Sequence, residues 1–207
     1  SQWFGRYDGQ TGRICMKFST DDVPAEFRDA YRLPGRAYRS NLAGAMAIAR
    51  SLGVNDDAIR AALPEFKALP HRLELVAESN GVSWYNDSKA TTPLSGIVAL
   101  DAFDRPEILI AGGYDKHLPF DEFGRKIAQK AKAAILIGQT APQIAQAIRA
   151  GSGGHCEAHI EFADSLAQAV QVAHRLACLG DVVLLSPACA SYDMFENYQQ
   201  RGRQFAE

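Results

Sequence analysis

Three short segments combine acids, lysines and hydroxyl side chains in a spacing that favours anion chemistry. The first is "NDSKATTP", residues 86–93, which stands between a strand-like alternating run and a helix-like run. The charge of a lysine at a helix start interacts unfavourably with the helix dipole, which costs roughly 0.3–1 kcal/mol. Lys89 therefore predicts a bound anion that offsets this cost. Thr91 stands where backbone N–H groups and a hydroxyl could hold that anion. Asp87 or Ser88 could instead simply cap the next helix.

Two later segments repeat this combination. "GGYDK", residues 112–116, ends in Lys116, and "SPACASYD", residues 186–193, contains Ser191 and an acid, Asp193, that could cap a helix. All three segments directly follow predicted strands, and open α/β sheets bind ligands outside the carboxyl ends of their strands. The three loops are therefore expected to converge on one site.

The sequence motifs of several other kinds of functional site are absent or incomplete. The glycine pair of the second segment is not GxGxxG, and no GxxxxGK[ST] phosphate loop occurs. Cys189 could be a nucleophile, but no histidine stands near it in the sequence, which favours a small buried filler. His155, Cys156 and His159 invite a metal site, yet their segment looks like a loop that runs into a strand. No metal site is predicted.

From about residue 70 the hydrophobic pattern alternates between strands and helices. "LELVAE" and "VSWYN" flank an "SNG" turn and predict a hairpin, and the alternation continues to a last helix, "MFENYQQRGRQFAE". The strands are apolar throughout, which is typical of a parallel sheet covered on both faces. The pattern predicts an α/β fold for residues 70–207, a Rossmann-like, mostly parallel sheet with helices on both faces.

Residues 1–69 precede this domain as a partial α/β segment. Turn residues between two short apolar runs predict a hairpin, and "DDVPAEFRDAYRLPGRAYRS" is expected to be mostly irregular. Two helices follow, one capped by Asn41 and stopped by Gly53, the other capped by Asn55. This is little core for independent stability, so the segment is expected to belong to a larger part of the protein.

The composition argues against several kinds of partner. The chain has 207 residues, of which 47% are hydrophobic, and a formal net charge of −2. A basic surface for nucleic acid or acidic lipid is therefore not expected. No apolar run approaches the roughly 20 residues that span a bilayer, and no signal sequence opens the chain, so a cytoplasmic location is expected. The four cysteines form no CxxC pair and are expected to be reduced thiols.

Four motifs together resemble the C-terminal domain of the Mur ligases. They are "PHR", "NDSKAT", "GGxDK" and "SPACASxDxF", and they keep the family's order and spacing. The resemblance runs from about residue 33 to the end of the sequence. It implies that residues 70–207 are the family's C-terminal, amino-acid-binding domain. Residues 1–69 are then the C-terminal part of its central, ATP-binding domain.

The resemblance implies an ATP-dependent ligase. In the member whose motifs match, ATP phosphorylates the carboxylate of UDP-N-acetylmuramoyl-L-alanine, and the amine of D-glutamate attacks the acyl phosphate. ATP and Mg²⁺ are the implied cofactors, held mainly by parts of the central domain outside these residues. The implied partners are D-glutamate and the UDP-linked sugar, and the implied enzyme is a monomer.

The resemblance also implies roles for single residues. Lys116 and Lys89 are the implied catalytic residues, with Lys89 near the boundary between phosphate and D-glutamate. Nucleotide contacts are implied for Arg72 at the ATP phosphates, for Asp87 at the ribose or base side, and for Asn41. The implied contacts to D-glutamate come from Thr91, Lys116, Ser191, the backbone of Tyr192, and Tyr198.

Two positions depart from the family pattern. A His-Asn pair usually follows the glycine of the "LxG" segment, but here Gly35 is followed by Arg36 and Ala37, and only Asn41 keeps its place. Tyr198 stands where phenylalanine is common. Because these residues contain no phosphate loop, they are expected not to catalyse ligation by themselves. Two alternatives stay open: a sister Mur ligase that adds another amino acid, although no "DNPR" motif occurs, and a non-catalytic Mur-ligase-like binding module.

Overall fold

The chain folds into two compact units, Ser1–Lys67 and Ala68–Glu207. Each unit has its own hydrophobic core. No helix among the described residues has the length and apolar composition that crossing a membrane requires. The computed structural model describes residues 5–8, 13–16, 23–153 and 158–207.

The described part of the first unit contains a hairpin and three α-helices. Strands β1 (Gly5–Asp8) and β2 (Arg13–Met16) pair antiparallel, which confirms the predicted hairpin, while its turn lies outside the described residues. The helices are α1 (Ala25–Ala30), α2 (Arg36–Ser51) and α3 (Asp56–Ala62), followed by a 3-10 turn at Leu63–Glu65.

Two predictions for the first unit are wrong. The segment predicted to be irregular contains α1, because Phe27 is buried in the core of the unit and holds that turn in place. Asn41 is an exposed residue inside α2 and not its cap, since the helix already begins after Gly35, at φ 90°. The predicted cap of α3 is confirmed, because Asn55 Oδ1 accepts a hydrogen bond from the Ala58 N–H at 2.9 Å. The core of the unit consists of Val23, Phe27, Leu42, Ala43, Met46, Ile59 and Leu63.

The second unit is an α/β domain. Its strands are β3 (Glu74–Ser79), β4 (Val82–Asn86), β5 (Glu107–Ala111), β6 (Ala131–Leu136), β7 (His159–Phe162) and β8 (Val182–Leu185). Its helices are α4 (Pro93–Leu100), α5 (Asp121–Lys130), α6 (Ala141–Gly151), α7 (Leu166–Leu176) and α8 (Tyr198–Ala206).

The described strands of this unit form one six-stranded sheet in the order β3-β4-β8-β5-β6-β7. Strand β3 runs antiparallel to β4, and the other neighbouring strands are parallel. This order confirms the predicted mostly parallel sheet with a hairpin at its start. Strand β8 lies between β4 and β5, so the loops that follow these three strands leave the sheet side by side.

Helices cover both faces of the sheet, as predicted. Ile108 and Ile110 of β5 belong to one cluster with residues of α7 and with Phe205 of α8. Leu109 alternates with these isoleucines and therefore faces the other side. On that side α5 and α6 contact β6 and each other. The three β5 side chains are fully buried, which accounts for the uninterrupted apolar run of this strand.

Glu107, the first residue of β5, is a fully buried acid. Neither of its carboxylate oxygens has a hydrogen-bond partner among the described residues. Burial raises the pKa of this carboxyl from 4.5 to about 8, although the charge of Lys130 acts in the opposite direction. The unfolded chain therefore releases the proton at a lower pH than the folded chain does. Stability consequently falls as pH rises from about 4.5 to about 8.

We expect Glu107→Gln to stabilise the fold near pH 8 by on the order of 2 kcal/mol, because the amide has no charge to bury. Urea unfolding at about pH 5 and about pH 8 measures this: the wild-type chain should lose more stability between the two than the variant, in which the raised pKa of the Asp87 carboxyl still contributes a loss. Asp164→Asn, at an exposed position just after β7, is the control. Equal pH slopes in the wild-type chain and E107Q would contradict the prediction.

Candidate functional site

The loops after β4, β5 and β8 are bonded to one another at the carboxyl edge of the sheet. The Gly112 N–H donates to the Pro187 carbonyl at 2.8 Å, and the Tyr114 N–H donates to the Ala190 carbonyl at 2.9 Å. The loop after β4 joins the loop after β8 through the Asp87 side chain. The structure therefore brings together the three segments that the sequence singles out.

Asp87 is a buried acceptor between two of these segments. Its Oδ1 accepts a hydrogen bond from the Leu73 N–H at 3.2 Å, and its Oδ2 accepts one from Ser186 Oγ at 2.9 Å. Burial raises the pKa of this carboxyl to about 7, while the two hydrogen bonds and the charge of Arg72 act to lower it. Asp87 and the exposed Arg72, both predicted nucleotide contacts, are thus electrostatically coupled.

Helix α4 begins at Pro93, as predicted, but its cap is a different residue from those considered. Thr92 Oγ1 accepts a hydrogen bond from the Ser95 N–H at 3.4 Å, and Pro93 occupies the first helical turn, where its fixed φ is favourable. Asp87 is therefore not the cap, and neither is Ser88. Lys89 precedes the cap and therefore lies outside the first helical turn. The prediction that its charge is unfavourable at the start of this helix is wrong.

Helix α8 begins later than predicted. Its cap is Asn197, whose Oδ1 accepts a hydrogen bond from the Gln200 N–H at 2.8 Å. The predicted start at Met194 is wrong, because the residues before Asn197 form turns. Asp193 does not cap this helix. Its Oδ2 instead accepts a hydrogen bond from the Gln139 N–H at 3.0 Å, which ties the loop after β8 to the loop after β6.

Lys89 and Tyr198 lie together. The Lys89 Nζ donates to Tyr198 Oη at 3.0 Å and sits 4.7 Å from the centre of the same ring, within cation–π range. Ser88 Oγ donates to the Tyr198 carbonyl at 2.8 Å. A predicted catalytic lysine and a predicted D-glutamate contact therefore meet, although 109 positions separate them in the sequence.

Lys116 and Thr91 also meet, from the loops after β5 and β4. The Lys116 Nζ lies 3.4 Å from the Thr91 carbonyl oxygen, and the lysine is exposed. A weak contact to a neutral acceptor leaves the ammonium able to turn towards an anion. The geometry therefore suits the anion-binding role predicted for both residues.

The two predicted contacts after β8 differ in exposure. Ser191 is 2% exposed, and its carbonyl accepts hydrogen bonds from the N–H groups of Met194 and Phe195 at 3.2 and 2.8 Å. Tyr192 is 68% exposed, and its ring lies edge-on to Tyr114 at 6.0 Å. Ser191 is therefore fixed by a tight turn, whereas the Tyr192 side chain is open to solvent. Asn41 belongs to the first unit, and its nucleotide contact stays a prediction.

Sequence reasoning missed Arg201, a fully buried arginine in α8. Its Nε donates to Ser88 Oγ at 2.9 Å, and its Nη2 donates to the Ser88 carbonyl at 2.8 Å and the Cys189 carbonyl at 3.1 Å. Its Nη1 lies 3.3 Å from the Ala190 carbonyl. Burial lowers the pKa of the guanidinium to about 10. The available signal was its position three residues after Tyr198, which places both on one side of a helix.

Cys189 is a buried thiol. It is 3% exposed, and its Sγ lies 3.1 Å from Thr140 Oγ1. Burial raises the pKa of the thiol to about 11, so very little thiolate exists at neutral pH. These features support the buried-filler interpretation over the nucleophile. Cys178, by contrast, is exposed.

Iodoacetamide is expected to alkylate Cys178 at least about tenfold faster than Cys189 in the folded chain, because only thiolates that the reagent reaches are alkylated. Mass spectrometry of tryptic peptides, taken over a time course, measures the two rates. The chain unfolded in urea is the control and should show similar rates at both positions. Rapid alkylation of Cys189 in the folded chain would contradict the prediction.

The predicted absence of a metal site concerns residues that the structure describes only in part. His155 and Cys156 lie outside the described residues, and His159 Nε2 lies 2.8 Å from Glu161 Oε1. Across residues 23–153 and 158–207 no group of three or more His, Cys, Asp or Glu side chains could hold a metal ion.

Known proteins resemble this chain in sequence and in fold. It is 42% identical over 193 residues to UDP-N-acetylmuramoylalanine--D-glutamate ligase of Symbiobacterium thermophilum, which covers 93% of this chain and 42% of that protein. It is 44% identical over 202 residues to the enzyme of the same name from Caldicellulosiruptor bescii, covering 97% and 41%. The chain thus spans about two fifths of the length of these curated relatives.

The fold and a family profile agree with these relatives. UDP-N-acetylmuramate-alanine ligase MurC of Thermotoga maritima superposes with a TM-score of 0.61 at 16% identity, over 84% of this chain and 38% of that one. At this identity the likeness concerns the fold alone. The profile described as "Mur ligase, glutamate ligase domain" matches residues 71–189. Because this match takes up more than half of the sequence, the chain belongs to the Mur ligase family.

Proposed function

We propose that this chain is part of an ATP-dependent ligase that adds D-glutamate to UDP-N-acetylmuramoyl-L-alanine in the synthesis of peptidoglycan precursors. The observation that supports it most is the contact between Lys116 Nζ and the Thr91 carbonyl, beside the loop that contains Ser191. The relatives of this chain are named as D-glutamate ligases, which agrees with such a site. The second unit, residues 70–207 in this proposal, binds the amino acid. Residues 1–69 are the C-terminal part of the ATP-binding domain.

D-glutamate needs a receptor for two carboxylates. Lys116 supplies a mobile cation, Thr91 and Ser191 supply hydroxyls, and the backbone of Tyr192 supplies an N–H at the turn after β8. Tyr198 closes the site from α8 and holds Lys89 through its hydroxyl. Donors that come from three separate loops suit a ligand with two anionic ends, because each end can be met by a charge-assisted hydrogen bond.

The proposed reaction makes an amide through an acyl phosphate. A carboxylate oxygen of the UDP-linked substrate attacks the γ-phosphorus of ATP, and the bond to ADP breaks. The amine of D-glutamate, after its ammonium group has lost one proton to solvent, then attacks the acyl carbon and the bond to phosphate breaks. One of the two protons left on the nitrogen goes to solvent, and the amide keeps the other. Negative charge develops on phosphoryl and carbonyl oxygens, where the ammonium groups of Lys116 and Lys89 stabilise it.

The nucleotide side of the proposed site lies at the entry to the second unit. Arg72 suits a phosphate contact because a guanidinium offers paired donors. Asp87, a buried carboxyl held by Ser186 Oγ, suits a hydroxyl of the ribose. Asn41, in the first unit, is the other residue proposed to contact the nucleotide. Since the chain spans only part of its relatives, the remaining phosphate contacts are proposed to come from sequence outside these residues.

An NMR titration of the isotopically labelled chain tests the proposal. D-glutamate should shift the amide signals of Thr91, Lys116 and Ser191, while L-glutamate, which has the same charge and the opposite configuration, should shift them less. Shifts produced by meso-diaminopimelate in preference to D-glutamate would instead assign the chain to a ligase for a diamino acid. Equal shifts with both glutamate enantiomers would overturn the proposed specificity.

A further inference from the structure

We propose that Arg201 is a positioning residue for the amino-acid carboxylates: it fixes the loops after β4 and β8 at the spacing that the ligand needs and places a positive charge behind them. This inference rests on the proposed function. Arg201 has no implied contact of its own with D-glutamate. Three features of Arg201 support the role: where its hydrogen bonds go, the direction of the peptide groups that it holds, and its burial.

All described hydrogen bonds of the Arg201 guanidinium go to the two loops. Two reach Ser88, which directly precedes Lys89, and two reach the carbonyls of Cys189 and Ala190, which directly precede Ser191. The Ala190 carbonyl also accepts the N–H of Tyr114, so the loop after β5 is held to the same point. One side chain thus sets the distances among all three loops of the proposed site.

Arg201 also sets the direction of a backbone donor. The carbonyl of one residue and the N–H of the next point in opposite directions across a trans peptide. Because the Ala190 carbonyl points towards Arg201 and Tyr114, the Ser191 N–H points away from both. Losing the guanidinium would free this peptide to rotate and would shift Ser191 and Tyr192, whose hydroxyl and backbone N–H respectively belong to the proposed receptor.

The charge of Arg201 is only partly balanced by its neighbours. Among the described residues it forms no ion pair, and its hydrogen-bond partners are neutral carbonyls and a hydroxyl. Burial opposes the guanidinium charge, and the carboxylate of Asp193 stabilises that charge less strongly and without bonding to it, so the net effect is a lowered pKa. A fully buried charge without a bonded counterion is costly. An amino acid with two carboxylates, bound by the same loops, would add negative charge nearby.

Three single variants of the labelled chain separate these roles. Arg201→Gln removes the charge and keeps a donor, and Arg201→Lys keeps the charge with a different geometry. Arg203→Gln removes the same charge from an exposed position on the same helix and is the matched control. Each variant is titrated by NMR with D-glutamate, with D-glutamine, which has one carboxylate fewer, and with glutarate, which lacks the ammonium group.

Arg201→Gln should weaken D-glutamate binding by roughly tenfold or more and D-glutamine binding by less, because charge-assisted hydrogen bonds are lost. Arg201→Lys should recover part of the affinity, and Arg203→Gln should bind like the wild-type chain. A merely structural arginine would lower the melting temperature of both Arg201 variants and weaken the two amino acids equally. A folded Arg201→Gln chain with wild-type affinity for D-glutamate overturns the inference and leaves the proposed function intact.

The two proposals can fail separately. If the wild-type chain binds glutarate but not D-glutamate, the proposed function fails, and weaker glutarate binding by Arg201→Gln still supports the inference. If the wild-type chain binds none of the three ligands, amide hydrogen exchange tests the positioning role of Arg201. Exchange at residues 88–91 and 189–191 that is faster in Arg201→Gln, but not in Arg203→Gln, supports this role. Unchanged exchange in Arg201→Gln overturns it. If Arg201→Gln does not fold, Arg201→Lys carries the same comparisons.

Discussion

Replacing Lys116 with alanine is expected to lower kcat/KM for D-glutamate in the proposed full-length ligase by roughly a thousandfold. The reason is that the variant leaves a carboxylate of the bound ligand without its cation, and removing one partner of a buried ion pair costs about 3–5 kcal/mol. In the present chain Lys116 is exposed and held only by a 3.4 Å contact to the Thr91 carbonyl, so its loss should leave the fold unchanged. Ligation rates at varied D-glutamate, together with a melting curve, measure both effects.

The control for this variant is Lys126→Ala. Lys126 forms an ion pair with Asp101 at 3.0 Å on the surface of α5, and such pairs contribute about 0–1 kcal/mol. It should leave kcat/KM for D-glutamate unchanged. A Lys116→Ala enzyme that loses less than about tenfold, with the melting temperature preserved, would remove Lys116 from the proposed catalytic pair.

Replacing Gly112 with alanine is expected to destabilise the second unit by about 3–5 kcal/mol. Gly112 has φ 110°, a conformation that costs an L-residue about 1–2 kcal/mol. An added Cβ would also collide with the Ile137 carbonyl oxygen, a backbone atom that cannot turn aside. The Ile137 N–H is bonded to the Ala111 carbonyl at 2.9 Å, so relief of the collision would break this contact between β5 and β6. Urea unfolding measures the loss.

Gly180→Ala separates the two causes. Gly180 has φ 93°, and a Cβ there would meet no atom within 4 Å, so only the conformational cost applies. It should lose about 1–2 kcal/mol, less than half of the loss in Gly112→Ala. Similar losses of stability in the two variants would contradict the prediction. They would show that the backbone at Ile137 moves aside at little cost, so that the close contact between Gly112 and Ile137 does not limit stability.

Hydrophobic periodicity predicted most of the second unit correctly, since its strands are short, apolar and bounded by turns. The hairpin of β3 and β4 and the helices after Pro93 and Ser165 follow from local residues. Helix boundaries were harder to predict. The start of α2 depends on Gly35 at a positive φ, and that of α8 on which of several polar residues caps it. The first residues of these two helices depend on tertiary packing, which cannot be predicted from the sequence of one segment.

The meeting of the three loops was predictable from strand ends, but the contacts within the site were not. Pairings such as Lys89 with Tyr198 join residues 109 positions apart and require the strand order of the finished sheet. Arg201 was missed because arginine is normally exposed, and the sequence around it is otherwise that of a polar helix. Its burial is visible only once α8 packs against the loops.

The place of β8 in the sheet also determines when this domain can mature during translation. β8 is the last of the six described strands of this sheet along the chain, yet it pairs with both β4 and β5. A nascent chain that ends before Asp181 therefore leaves both strands with an open edge, and open apolar edges are aggregation-prone. The loops after β4 and β5, which belong to the proposed receptor, cannot reach their final positions earlier, because their bonded partners follow β8. The domain consequently completes the proposed binding surface and its protection from self-association in one step, when β8 pairs with both strands.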